Sequence, residues 1–221
     1  MGRRPADRTR APVSRQRAFI VALAVADSEG IEAVTMRRLA RELGVEAASL
    51  YHHVKGKEEI LDELVNLVSA EIPAPVTAAG WRAVTCERAC NTRAVLLRHP
   101  WAVSLMASRT TPGPATLRHL EAGIRPFREA GFSVPMAAHA ISVVDSYIHG
   151  FVLQEVNLPF HDESELAAMT GAIMDHFPAE DFPHLFQLTV EHVLRPGYEY
   201  GNEFSFGLEV LLDGLQAALD R

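Results

Sequence analysis

The chain has 221 residues, 48% of them apolar, and a formal net charge of −7, which gives room for one or two globular domains with a sizeable core. Spread evenly, that charge would argue against a nucleic-acid partner, but residues 1–57 carry +5 and residues 58–221 carry −12, a basic head on an acidic body. Two cysteines, Cys86 and Cys90, argue against a disulfide framework and fit a reducing cytoplasm; four apart on one helical face, they are expected to be buried core thiols.

Residues 1–13 hold four arginines and two prolines with almost nothing apolar, and are expected to form a disordered basic arm able to add phosphate or minor-groove contacts. A helix over about 14–29 follows, capped by Ser14, stopped at Gly30, and packing Phe19, Ile20, Leu23 and Ala26 inward. Its run Phe19–Ala26 mimics a signal peptide, yet it is far short of the roughly 20 residues a membrane span needs. The helix reading leaves no export signal and no membrane partner.

Thr35 is a good N-cap, and Met36, Leu39, Ala40 and Leu43 recur at helical spacing, which predicts a short amphipathic helix. Gly44 ends it in the left-handed conformation, and Val45 plugs the angle to a second helix at about Glu46–His53. Leu50 and Val54 anchor that second helix. Its other side chains are small or hydrogen-bonding, which suits a major groove about 12 Å wide. Lys55, Gly56 and Lys57 make a cationic turn, and the free N–H groups of the next helix are a natural phosphate seat. This is the outline of a helix-turn-helix DNA reader.

Thr35, Arg37, Leu39, Ala40, Leu43, Gly44, Val45, Ser49, Leu50, Tyr51, His53, Val54 and Lys57 stand in the spacing of a motif through which the chain resembles the tetracycline-repressor (TetR) family of transcriptional regulators. That resemblance implies that Thr35, Arg37, Tyr51 and Lys57 hold phosphate, that Ala47, Ala48, Ser49 and His52 face base edges, and that His53 and Lys55 complete the DNA surface. Ala47 and Ala48 offer only methyl groups, so thymine methyls and DNA shape should carry much of the specificity.

Beyond the reader, a helix at about 57–71 with an apolar stripe from Ile60 to Val68 should be shared between reader and body. Pro73, Pro75 and Gly80 mark a linker, and further helices are expected at about 81–97, 101–108, 115–130, 134–156, 163–176, 184–195 and 203–220. Pro126 falls inside one of these, Ser133 with Pro135 opens another, and Asn202 can cap the last. The fold is therefore expected to be all-α. The expected domains are an arm at 1–13, a three-helix DNA-binding domain at 14–56 and an effector-binding and dimerisation domain at 57–221.

HPW at 99–101, REAGFS at 128–133 and FGLEVLLDGL at 206–215 extend the resemblance to the ligand-binding domain of the tetracycline-repressor branch. It implies a mostly apolar effector pocket, with Trp101, Met106, Phe127, His139, Asp145, Tyr147 and Gln154 as candidates. It also implies a homodimer through about 134–156 and 203–220 on a palindromic operator in double-stranded DNA. The branch holds the drug's magnesium through a histidine in the short helix after the HPW-like stretch. Leu105 aligns there, so an effector other than magnesium–tetracycline is implied.

Neither a metal site nor a cofactor is expected. His52 and His53 point apart, and His139 and His149 lie about 15 Å apart along one helix. No nucleophile elbow or Gly-rich phosphate loop is present. An enzyme would have to use pairs such as His149 with Glu155 or Asp145 with Tyr147, which helical spacing turns partly apart. An effector-independent architectural DNA binder is the other alternative to a ligand-responsive repressor in the cytoplasm.

Overall fold

In the computed structural model, which describes residues 13–160, 163–174 and 177–220, every regular element is helical. The chain divides into two compact units. One takes in the residues up to Ala74 together with Ala94–Ala122, and the other Pro75–Arg93 with Gly123–Arg221. The expected arm falls almost wholly outside the described residues.

Local sequence explains the first unit's helix ends. Helix α1, Arg15–Glu29, begins where the Ser14 hydroxyl accepts the Arg17 N–H at 3.2 Å, and ends at Gly30 with φ 83°. Helix α2, Met36–Leu43, is capped in the same way by Thr35, which accepts the Arg38 N–H at 3.2 Å. Gly44 adopts φ 71°, ψ 36°; its N–H reaches Arg41 O at 3.2 Å and that of Val45 reaches Ala40 O at 3.0 Å. This pair of bonds closes the helix and turns the chain.

Helix α3 is shorter than the sequence suggests, Ala47–Leu50. After it the hydrogen bonds tighten to a three-residue reach, His52 N to Ser49 O and His53 N to Leu50 O, so Tyr51–His53 form turns rather than α-helix. Helix α4, Lys57–Glu71, then buries Ile60, Leu61, Leu64, Val65 and Val68. Ala18, Phe19, Ala22, Val25, Leu39, Leu43, Leu50, Val54, Ile60 and Leu64 make one continuous core. Ile20, expected inside, is 56% exposed, because the buried set of α1 runs through Ala18, Phe19, Ala22, Val25 and Ala26 and leaves position 20 on the outer edge.

Helices α5, Trp81–Arg98, and α7, Pro114–Glu129, contribute residues to both units. Helix α6, Ala102–Ser108, belongs to the first unit and packs on α4. Charged side chains tie these elements together. Arg109 pairs with Asp62 at 2.6 Å and Glu58 at 2.9 Å, and Arg98 with Glu71 at 2.7 Å. His99 is buried with Nδ1 2.6 Å from Asp27 and Nε2 3.1 Å from Glu71.

The second unit is built on α8, Val134–Val156, and α11, Glu203–Leu219. Ser133 caps α8 by accepting the Met136 N–H at 3.3 Å. The helix buries Val144, Ile148, Phe151 and Val152 and packs on α11, which buries Phe204, Leu208 and Leu212; Phe151 meets Phe204 with ring centroids 5.2 Å apart. Asn202 does not cap α11. It is itself in a helical conformation at the end of a 3₁₀ turn, Tyr200–Asn202, and makes no side-chain capping bond. Helix α9 is Glu163–Met174 and α10 is Pro183–Leu188, continued by a π-helical turn over Thr189–Val193. Helix α8 is long and apolar enough to cross a membrane, but Asp145 and Glu155 interrupt it, ion-paired to Arg88 and Arg93. That is the arrangement of a helix packed inside a protein body.

Candidate functional site

The reader surface is assembled by the two caps and the closing turn. Thr35, Arg37, Ala48, Ser49, Tyr51, His52, His53 and Lys55 are exposed, and Ala47 and Lys57 are half-buried, while Leu50 and Val54 point inward with at most 2% exposure. Adjacent arginines on α2 have opposite fates. Arg38 is clamped by Glu29 and Glu42, and the two hydrogen bonds, Glu29's first, raise its pKa further. Arg37 stays outside that clamp, facing solvent. The phosphate seat at the start of α4 is partly taken by the protein, since Glu59 accepts the Lys55 N–H at 2.5 Å and pairs with Arg15 at 2.6 Å.

The seven candidate effector residues are divided between the two units. Trp101 and Met106 lie in the first unit. The Trp101 indole donates to Asp27 at 2.8 Å, and both Trp101 and Leu105 pack against the reader core. The other five lie in the second unit. Phe127 is fully buried among Trp81 and Phe132, with ring centroids 5.6 and 5.3 Å away, so it is a core side chain. His139 is exposed, as are Val143 and Leu153 on the same helix. Tyr147 donates to the carbonyls of Glu203 at 3.2 Å and Phe204 at 3.0 Å, and burial pushes its pKa up. Gln154 accepts from Tyr200 at 2.7 Å, and Asp145 holds Arg88 at 2.6 Å.

Two groupings were not legible in the sequence. Arg88 is 2% exposed and meets Asp145 from a helix 57 positions away, with His149 one turn beyond Asp145. A cavity of about 540 Å³ is lined by Arg93, Glu155, Leu166, Tyr198, Tyr200 and Gly201, among others. Arg93 pairs with Glu155 at 2.8 Å and lies 5.0 Å above the Phe204 ring. Long-range pairs of this kind leave no periodic signal. The acid–base pairs considered for an enzyme are committed elsewhere, Glu155 to Arg93, Asp145 to Arg88 and Tyr147 to backbone carbonyls. No cluster of three or more metal-ligating side chains occurs among the described residues. Cys86 and Cys90 are free thiols, half-buried and exposed rather than in the core, and burial foremost pushes Cys86 up in pKa.

The sequence profile of bacterial regulatory proteins of the tetR family matches residues 21–64, and that of the tetracyclin repressor-like C-terminal domain matches residues 74–219. The HTH-type transcriptional repressor DrrR1 of Streptomyces coeruleorubidus is 32% identical, the match covering 97% of this chain and 82% of that protein. Tetracycline repressor protein class E of Escherichia coli is 30% identical, covering 90% of this chain and 89% of that one. Among solved structures, ActR of Streptomyces coelicolor in complex with actinorhodin is similar with a TM-score of 0.77 at 27% identity, covering 94% of this chain and 97% of that chain. A closed helix-turn-helix, a helical body and these matches along nearly the whole sequence lead to one conclusion: the chain belongs to the TetR family of bacterial regulatory proteins.

Proposed function

We propose that this protein is a ligand-responsive, homodimeric transcriptional repressor, acting in the cytoplasm and released from a palindromic operator by a small molecule. By role, residues 14–56 are the reading head and residues 57–221 the effector-binding and dimerisation body, with α4 shared between them and residues 1–13 a basic arm. The observation that carries the reading is the exposed surface raised on the Thr35 cap and the Gly44 turn. Thr35, Arg37, Tyr51 and Lys57 contact phosphate. Ala47, Ala48, Ser49 and His52 face the bases, and His53 and Lys55 flank them. Its relatives are repressors rather than enzymes.

Two-fold pairing uses the outer faces of α8 and α11. Phe206 is 71% and Val210 55% exposed there, one turn apart on one face, more apolar surface than an isolated helix normally leaves in water. Effector binding in the body stabilises a state whose reading heads are wrongly spaced, which requires different affinities for the two states.

Nuclease footprinting on the promoter region beside the gene tests this. Two half-sites about one helical turn or a multiple apart are expected, and protection should vanish in Phe206→Asp/Val210→Asp, which should sediment as a folded monomer. A single protected half-site, unchanged in the monomer, would overturn the dimeric reading.

A further inference from the structure

Arg88 and Thr85 are the two buried side chains among the described residues with a polar atom that finds no partner: Arg88 Nε and Thr85 Oγ1. They are 2% and 0% exposed and sit one turn apart on α5, on one face. Buried polar atoms are nearly always paired, so each orphan calls for an explanation. Other helical threonines take the easy remedy of bonding the carbonyl four residues back, as Thr92 on the same helix does to Arg88 O at 2.8 Å and Thr170 on α9 to Leu166 O at 2.7 Å. Thr85 makes no such bond.

The guanidinium is fixed rather than loose. Asp145 holds one end at 2.6 Å, and a Cβ on Gly123 of α7 would come within 3.4 Å of Arg88 Cζ and 2.6 Å of Ile141 Cδ1. His149, one helical turn beyond Asp145, completes the group. Burial foremost lowers its pKa, with Asp145 opposing and Arg88 reinforcing, so at neutral pH the imidazole is uncharged.

We infer that Arg88 and Thr85, with His149 beside them, form the polar anchor of the effector site and hold an uncharged carbonyl oxygen of a largely apolar ligand, an inference that rests on the effector-responsive reading above. An Nε–H can only donate, so the ligand must bring an acceptor. A cation is repelled by Arg88, and Asp145, which could attract one, already holds that guanidinium. A carboxylate would place a second anion beside Asp145, in a cluster whose charge already balances. A ketone, quinone or amide oxygen takes both donors without adding charge. The neighbouring buried side chains on the same helices, Ala89, Val144 and Ile148, are apolar, which suits the rest of such a molecule.

The test uses the full-length protein and three matched probes: benzophenone, diphenylmethane, which lacks the oxygen, and diphenylacetate, which carries an anion. Calorimetry should find benzophenone about ten-fold or more tighter than either of the others. The carbonyl stretch of bound benzophenone should move to lower frequency. Thr85→Val, which keeps the shape, and Arg88→Met should each remove most of the preference, and Thr85→Val should return part of the stretch shift. Equal affinity for benzophenone and diphenylmethane, preference for diphenylacetate, or an unshifted stretch would overturn the inference. Operator affinity is measured alongside. Selective carbonyl binding that leaves DNA affinity unchanged would retain this site and sink the effector-responsive reading, whereas release of DNA by a molecule that ignores Thr85 and Arg88 would do the reverse.

Discussion

His149 is where burial and charge make the clearest residue-level statement. Its folded pKa lies below the ordinary value of 6.5, chiefly because burial disfavours the imidazolium. Well above 6.5 the ring is neutral in both the folded and unfolded chain and contributes no pH dependence. Below 6.5 the unfolded chain takes up a proton that the folded chain refuses, so stability falls as pH drops through 6.5 and on to the folded value. Melting temperatures from pH 7.5 to 5.5 should decline less steeply in His149→Gln than in the parent, and parallel curves would contradict the assignment. Such an environment is invisible in the sequence, where His149 was only one of ten histidines. Thr35 and Gly44 are the opposite case. Each acts through its own backbone neighbours, a cap bond at 3.2 Å and a left-handed φ of 71°, and local rules suffice to place both.

At the scale of elements, helix positions were legible because apolar periodicity and the Ser14, Thr35, Ser133, Gly30 and Gly44 signals agree. The misses have physical reasons. The α3 segment keeps a helical pattern through His53, yet Tyr51–His53 form hydrogen-bonded turns with a three-residue reach rather than α-helix. Asn202 has capping chemistry but enters α11 from a 3₁₀ turn that already supplies helical geometry. The candidate pocket residues came from the resemblance, and neither the core position of Phe127 nor the surface position of His139 follows from residue type. Gly207 acquires a specific role instead. A methyl there would overlap the Tyr147 hydroxyl and approach its Cζ to 2.7 Å, on the ring that bonds the start of α11. Gly207→Ala should destabilise the body by about 1–3 kcal/mol, read from denaturant midpoints, whereas Gly214, with nothing within 4 Å, should accept alanine without loss in the monomer. Equal effects would show that α8 and α11 do not approach at Gly207 as described.

At the scale of the whole molecule, the division of charge, +5 over residues 1–57 and −12 over residues 58–221, predicts that only one end of the protein approaches DNA and that the approach depends on salt. Within the basic end, pairing separates structural from available cations: Arg38 is held by Glu29 and Glu42, and Arg15 by Glu59, while exposed Arg37 and half-buried Lys57 are proposed to meet phosphate. The most direct test is fluorescence anisotropy of the full-length protein on promoter DNA from beside its gene, titrated across salt concentrations. The account predicts a linear fall of log affinity with log salt, a slope shallower by about 1 in Lys57→Ala, and weaker binding in Tyr51→Ala. Affinity and slope unchanged in both variants would contradict the claim that Thr35–Lys57 is the DNA-reading surface.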